Sequence, residues 1–199
     1  REPIMLGPLN GRATIYRNFI ADTTPRAIGV GFPNGVNLAY SADNLATELI
    51  WTGNFMDASR HWADRGQGGQ DPAGENVVEL SGSPALPKDS RFRGYKLDPA
   101  GNPTFSVQIG KQFLLDAWKP GSLEGRPVLV RDLSLGKGGT PVEILISDEH
   151  AAKPVKDQDF ELGSAMGLRV EHAELQPRDG KTYLKLSPGQ SATLTYHWK

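Results

Sequence analysis

The tract from Trp51 to Gln70 concentrates the side chains of this sequence that could do chemistry. If the tract is helical, Asp57 and His61 share one helical face, and Asp64 follows on the next turn. A carboxylate can orient an imidazole for general-base catalysis, or the pair can bind a metal that finds its other ligands elsewhere. The simpler interpretation is a surface Asp–His pair that adds only a small increment to helix stability.

The same tract holds an aromatic cluster with arginines beside it. Trp51, Phe55 and Trp62 could form a platform on which a sugar ring or a planar cofactor stacks, with Arg60 and Arg65 binding its polar or anionic groups. The alternative is that the three rings fill the core where the segment lies on a sheet. No catalytic residue is assigned. The candidate ligand or partner surface comprises Trp51, Asp57, Arg60, His61, Trp62 and Arg65.

Other parts of the sequence hold fragments of functional motifs but no complete one. The glycine-rich stretches 65–70 and 135–140 lack the phosphate-loop order GxxxxGK(S/T), so we interpret them as loops. Residues 147–150 collect the residue types of a hydrolase triad, but triad members converge from separate segments, and a solvated loop is expected. The oxygen-rich spots 43–44 and 157–159 could hold calcium, although such residues usually cap turns. We expect no bound metal and no cofactor.

Composition excludes several classes of function. The net charge of the 199 residues is −1, and the basic residues form no run, which disfavours binding to nucleic acid. The absence of cysteine excludes disulfides, Cys-ligated zinc, iron–sulfur clusters and covalent haem attachment within this chain. No run approaches the roughly 18 apolar residues of a membrane span, so membrane association would need a partner or a further segment. The first residue, Arg1, fits a cleaved secretory signal, an expression boundary or a cut from a longer polypeptide.

The elements that would position these residues are short β-strands. The 23 glycines and 15 prolines punctuate alternating runs, which is typical of a fold with many turns. Asp98–Asn102 predicts a hairpin between strands 92–97 and 104–109, and Asp179-Gly180 predicts another hairpin. We therefore predict an all-β fold: a single domain over residues 1–199, built as an antiparallel two-sheet β-sandwich. One short helix is predicted over Phe55–Arg65, with Asn54 as its N-cap.

Several tracts resemble a poorly characterised β-sandwich module that occurs beside c-type cytochrome domains in extracytoplasmic bacterial redox proteins. The tracts that carry the resemblance are IYRNFI (15–20), PRAIGVGFPNGVNLAY (25–40), LIWTG (49–53), RHWADRGQG (60–68), FRGYKLD (92–98) and PTF (103–105). The likeness covers the first half of the chain well and the second half only by its strand pattern. The module brings no established catalytic residues to this sequence.

The resemblance implies an exported, periplasmic or otherwise extracytoplasmic protein that works next to haem proteins. Because the chain has no CxxCH haem-attachment motif, it would serve electron transport as a scaffold or docking surface. The first hypothesis is therefore a non-catalytic accessory or structural subunit of a cytochrome-associated or membrane electron-transfer complex. It predicts a flat apolar patch with a polar rim for protein–protein interaction. The alternative hypothesis is a carbohydrate-binding or carbohydrate-processing module; enzymatic activity is left open, with a non-enzyme favoured.

Overall fold

The computed structural model describes residues 5–17, 20, 23–57 and 72–199, and all regular secondary structure among these residues is β-strand. The strands are β1 (Met5–Leu6), β2 (Thr14–Arg17), β3 (Ala27–Gly31), β4 (Val36–Ser41), β5 (Ala46–Thr52), β6 (Met56–Asp57), β7 (Glu75–Glu79), β8 (Arg91–Leu97), β9 (Pro103–Ile109), β10 (Gln112–Leu123), β11 (Arg126–Leu135), β12 (Val142–Ser147), β13 (Lys153–Lys156), β14 (Asp159–Glu161), β15 (Met166–Glu171), β16 (Leu175–Arg178), β17 (Lys181–Leu186) and β18 (Ser191–Trp198). The all-β prediction is confirmed.

The largest sheet has eight antiparallel strands in the order β13-β14-β15-β18-β11-β10-β9-β8. Its central hairpin, β10–β11, is paired from Leu114 opposite Leu135 to Leu123 opposite Arg126. The predicted hairpin at Asp98 is present, because β8 and β9 pair directly across that turn. Side chains alternate between the core and the outward face along β9, most of β11 and β18, as a half-buried sheet requires.

A second layer consists of a five-stranded sheet, β2-β3-β4-β5-β7, and a three-stranded sheet, β12-β17-β16. The segment that follows β7 links these two sheets. The amide of Leu80 donates to the carbonyl of Glu48 in β5 at 2.8 Å, and the amide of Leu145 in β12 donates to the carbonyl of Ala85 at 2.9 Å. The two sheets of this layer are therefore connected by backbone hydrogen bonds as well as by the chain.

The main hydrophobic core contains side chains from all three of these sheets. The ring of Tyr40 in β4 stacks on the ring of Phe105 in β9, with 3.9 Å between their centroids. At the same interface the side-chain amide of Asn34 donates to the carbonyls of Gly121 and Val128, at 3.1 and 3.2 Å. Layers of antiparallel sheet around a shared core are consistent with the predicted β-sandwich.

The five-stranded sheet is covered on its other face as well. A second apolar cluster there includes Trp51, Phe55 and Met56, and β3 and β4 are buried along their whole length. Gly31 makes room for this cover, since a Cβ atom at that position would lie 2.7 Å from Cγ of Phe55. The middle strands of this sheet are therefore buried on both faces.

The helix predicted over Phe55–Arg65 is wrong over the part of that range that the structure describes. Met56–Asp57 forms a strand, β6, that pairs with Met5–Leu6, and residues 58–71 lie outside the described residues. The physical reason is tertiary: Phe55 and Met56 are fully buried against the glycine-lined face of β3, and this burial outweighs the local helical pattern.

Candidate functional site

The structure describes only two of the six residues that the sequence predicts as a ligand or partner surface, Trp51 and Asp57. Trp51 is buried, with an exposed fraction of 0%, and its ring stacks on Phe55 with 6.0 Å between centroids. Its indole nitrogen donates to the carbonyls of Asn54 and Phe55, at 3.1 and 3.2 Å. Asp57 lies partly exposed in β6. Trp51 is therefore a packing residue whose ring is closed to a ligand. The remaining residues of that surface, Arg60, His61, Trp62 and Arg65, lie outside the described residues.

Residues 147–150 form hydrogen bonds that hold the end of β12 against the segment that follows β7. The Ser147 hydroxyl donates to the Leu80 carbonyl at 2.6 Å, and it accepts bonds from the amides of Glu149 and His150 at 3.2 and 3.1 Å. The carboxylate of Asp148 accepts a bond from the Gly82 amide at 3.1 Å. A serine oxygen that is buried and already bonded on several sides has no access to a substrate.

The acidic spots considered for calcium are engaged in ion pairs. Asp159 bonds Arg169 at 2.9 Å and Asp43 lies 3.5 Å from Arg26. Among the described residues, no group of three or more His, Asp or Glu side chains could hold a metal ion.

A buried ion pair lies in the core of the eight-stranded sheet. Arg131 in β11 donates two hydrogen bonds to Asp116 in β10, at 2.8 and 2.7 Å, and a third to the Tyr196 hydroxyl at 3.2 Å. Its guanidinium also lies 4.9 Å from the centroid of the Trp118 ring. Burial alone would lower the pKa of Arg131, but the attraction of Asp116 outweighs it and raises the pKa, so the arginine stays charged. Because these groups are buried, their role is to connect β10, β11 and β18.

The outward face of the eight-stranded sheet includes exposed side chains of its central strand β10. Cross-strand pairing places Phe113 of β10 beside Gln108, which in turn pairs with Arg91 of the edge strand β8. Leu115, the next outward residue of β10, lies between Ser106 and Ser134. Phe113 and Leu115 keep 45% and 41% of their surface exposed, although both are large apolar side chains.

Cations surround this apolar pair. Arg91 lies in the same cross-strand row as Phe113, Lys111 lies in the turn before β10, and Lys119 lies further along β10. All three are exposed, and Asp132 lies 3.9 Å from Lys119. We call Phe113, Leu115, Arg91, Lys111 and Lys119 the β10 patch: an apolar centre with a mainly basic rim.

The opposite end of the same face contains a cleft of about 310 Å³. Its floor is formed by Gly167 in β15 and His197 in β18, which are paired across the two strands. The imidazole lies directly over Gly167, where a Cβ atom would come within 2.5 Å of Nε2. We call this depression the His197 cleft.

Paired charges and apolar side chains form the walls of the His197 cleft. Asp159 accepts hydrogen bonds from Nε and Nη2 of Arg169, at 2.9 and 3.4 Å. Lys199 lies 2.7 Å from Glu161. Leu123 and Val155 flank the opening, and Val155 has 62% of its surface exposed. Of these residues only Asp159 belongs to a spot that the sequence indicates, the oxygen-rich stretch 157–159, because the others come from strands that are separate in sequence.

The imidazole of His197 is held in its neutral form. Burial lowers its pKa, Asp159 acts in the opposite direction, and Arg169 and Lys199 lower it further. A neutral imidazole offers one hydrogen-bond donor and one acceptor. The floor of the cleft therefore presents both functions without a charge.

Comparisons with protein-family models, with curated proteins and with solved structures find no match for this chain. In the part of the chain that the structure describes, no helix is long and apolar enough to cross a bilayer.

Proposed function

We propose that this chain is a non-catalytic accessory subunit that docks, through the β10 patch, onto a redox-active partner. The partner would be a cytochrome or a membrane electron-transfer complex in the periplasm or another extracytoplasmic compartment. The observation that carries the proposal is the adjacent placement of Phe113 and Leu115 on an open sheet face, each more than two-fifths exposed at 45% and 41%. Apolar side chains that cluster on a surface and carry a polar rim mark protein interaction sites.

The charges of the β10 patch define the chemistry of its partner. Arg91, Lys111 and Lys119 surround the apolar pair, whereas the net charge of the whole chain is −1. A surface complementary to these exposed cations would be an apolar contact with an acidic rim. Such complementarity speeds the encounter of two proteins and fixes their orientation.

The redox context comes from the family resemblance of the first half of the chain. A module that occurs beside c-type cytochrome domains supports a partner that bears haem. Because these 199 residues include no cysteine, covalently attached c-type haem would lie outside them. The β-sandwich would supply rigidity and a docking face.

The test is a mild, detergent-compatible isolation of the native protein, with mass spectrometry and a visible absorption spectrum of the co-eluting subunits. We expect an identified haem-bearing subunit to co-elute with the native chain and to be lost from the double variant Phe113→Glu, Leu115→Glu. The matched control is Val77→Glu, because Val77 is 47% exposed in β7, away from the patch. A colourless, solitary native protein would overturn the proposal, as would an association that the double variant leaves intact.

The alternative function is carbohydrate binding. One observation favours it: the His197 cleft combines an open floor, apolar flanks and hydrogen-bonding groups whose charges are paired.

A further inference from the structure

We infer that the His197 cleft is a binding site for an uncharged saccharide, with one sugar residue seated on the imidazole of His197, which itself lies over Gly167. This site is separate from the β10 patch, and the inference does not depend on the docking function. It is carried by three properties of the cleft: its floor, its charge balance and its free hydrogen-bonding groups.

The floor of the cleft depends on the missing side chain at position 167. The imidazole of His197 occupies the space over Gly167, so any larger residue there would displace the ring. The volume of about 310 Å³ is at the lower end of the range for ligand pockets, which fits one sugar ring and leaves the rest of a chain outside. Leu123 and Val155 stand at the sides, where the C–H face of a sugar can pack.

The side-chain charges around the cleft balance. Its lining contains three carboxylates, Glu124, Asp159 and Glu161, and three cations, Arg126, Arg169 and Lys199. Two pairs are already formed, Asp159 with Arg169 and Glu161 with Lys199. A phosphate or a metal ion would need an excess of one sign in order to replace its hydration shell. An uncharged ligand does not disturb these pairs.

The same groups keep hydrogen-bonding capacity for a ligand. Arg169 uses Nε and Nη2 for Asp159, so its Nη1 protons are outside that interaction. The amine of Lys199 has three protons, and a single contact, to Glu161, engages it. The neutral imidazole adds one donor and one acceptor, and no hydrogen bond to another part of the described chain occupies it. Sugar hydroxyls both donate and accept hydrogen bonds, so they match this combination of free donors with one acceptor.

The test is a titration of the isotope-labelled protein with neutral sugars, monitored by the amide resonances of Gly167, Arg169 and His197. The probes are glucose, galactose, mannose, N-acetylglucosamine and their β-linked disaccharides. We expect at least one probe to shift these resonances in a saturable way, and we expect His197→Ala and Gly167→Val each to weaken that binding by roughly tenfold or more.

The control variant is His150→Ala, because His150 also lies against a glycine, Gly163, but lines a different groove. It should bind the same probe with unchanged affinity. The Gly167→Val protein could fail to fold, so His197→Ala, which removes atoms from the surface, carries the test on its own. The inference is overturned if no neutral sugar shifts these resonances or if His197→Ala binds as well as the native chain.

Discussion

Asp116 and Arg131 face each other from adjacent strands with two hydrogen bonds of 2.7 and 2.8 Å, and both side chains are buried in the core. Each charge is tolerated there only because the other is present. An ion pair of this kind is costly to break from one side, whereas its replacement by apolar groups of similar size can be neutral.

Removal of one partner should therefore destabilise the protein strongly. We expect Arg131→Leu to lower the free energy of unfolding by about 3–5 kcal/mol, because Asp116 is left as a buried unpaired charge. The double variant Arg131→Leu, Asp116→Leu should recover much of this loss. Urea unfolding followed by tryptophan fluorescence measures all of these variants. If the free energy of unfolding of Arg131→Leu lies within about 0.5 kcal/mol of the native value, water reaches the pair.

The glycine that accepts the Phe55 ring should not tolerate a methyl group. A Cβ atom at Gly31 would lie 2.7 Å from Cγ of Phe55, so Gly31→Ala should cost about 1–3 kcal/mol of unfolding free energy through overpacking. The control is Gly82→Ala, where a Cβ atom meets nothing within 4 Å. If the ring is the cause, Phe55→Leu should be less harmful in the Gly31→Ala background than in the native chain. If Phe55→Leu lowers the free energy of unfolding equally in both backgrounds, the contact with Phe55 is not the cause of the Gly31→Ala effect.

The rim of the β10 patch should act on the association rate. We expect Lys111→Glu and Arg91→Glu to slow binding to the haem-bearing partner and to leave stability within about 0.5 kcal/mol, because both residues are exposed. The difference should shrink as salt is raised well above about 0.1 M, where exposed charges are screened. Stopped-flow or surface-based kinetics at several salt concentrations measures this. If the native chain and the two glutamate variants associate at the same rate, electrostatic steering does not contribute to docking.

Protonation of His197 should work against folding and against sugar binding. Its pKa is lowered in the folded protein by burial and raised only in part by Asp159, so as the pH falls the unfolded chain takes up the proton first. The stability that the neutral imidazole contributes is present above the unfolded pKa, about 6.5, and decreases below it.

Unfolding measured between about pH 7.5 and about pH 5 should therefore show a smaller pH dependence for His197→Ala than for the native chain. Sugar affinity should fall over the same range, because the protonated imidazole loses its acceptor. A His197 resonance that titrates above the ordinary histidine range would contradict both expectations.

Local turn chemistry made part of this fold predictable from the sequence. Asp98 accepts the amides of Ala100 and Asn102, each at 2.9 Å, as the Asp-Pro-Ala-Gly-Asn pattern predicts. Asp179 and Gly180 both have positive φ, 52° and 75°, which the Asp-Gly hairpin turn requires. These signals involve neighbouring residues, so they can be recognised without knowledge of the tertiary structure.

The patch and the cleft depend instead on strand register. In β10 the polar residues Gln112 and Asp116 are buried, whereas Phe113 and Leu115 are exposed, the reverse of what hydropathy alone predicts. Leu114 and Trp118 lie on the same buried face, and the ion pair with Arg131 in the next strand lets Asp116 be buried there with them. The His197 cleft likewise forms only when β14, β15 and β18 are aligned side by side.

The covering of both faces of the five-stranded sheet has a consequence for how the sequence can vary. Every described side chain of β3 and β4 contacts a neighbour on one face or the other, so neither strand has a solvent side where substitutions are harmless. A saturation mutagenesis scan should find residues 27–31 and 36–41 intolerant at consecutive positions, whereas β9 and β18 should alternate between tolerant and intolerant positions. Burial on both faces should thus make these two strands, like the neighbouring β5, strongly constrained in sequence.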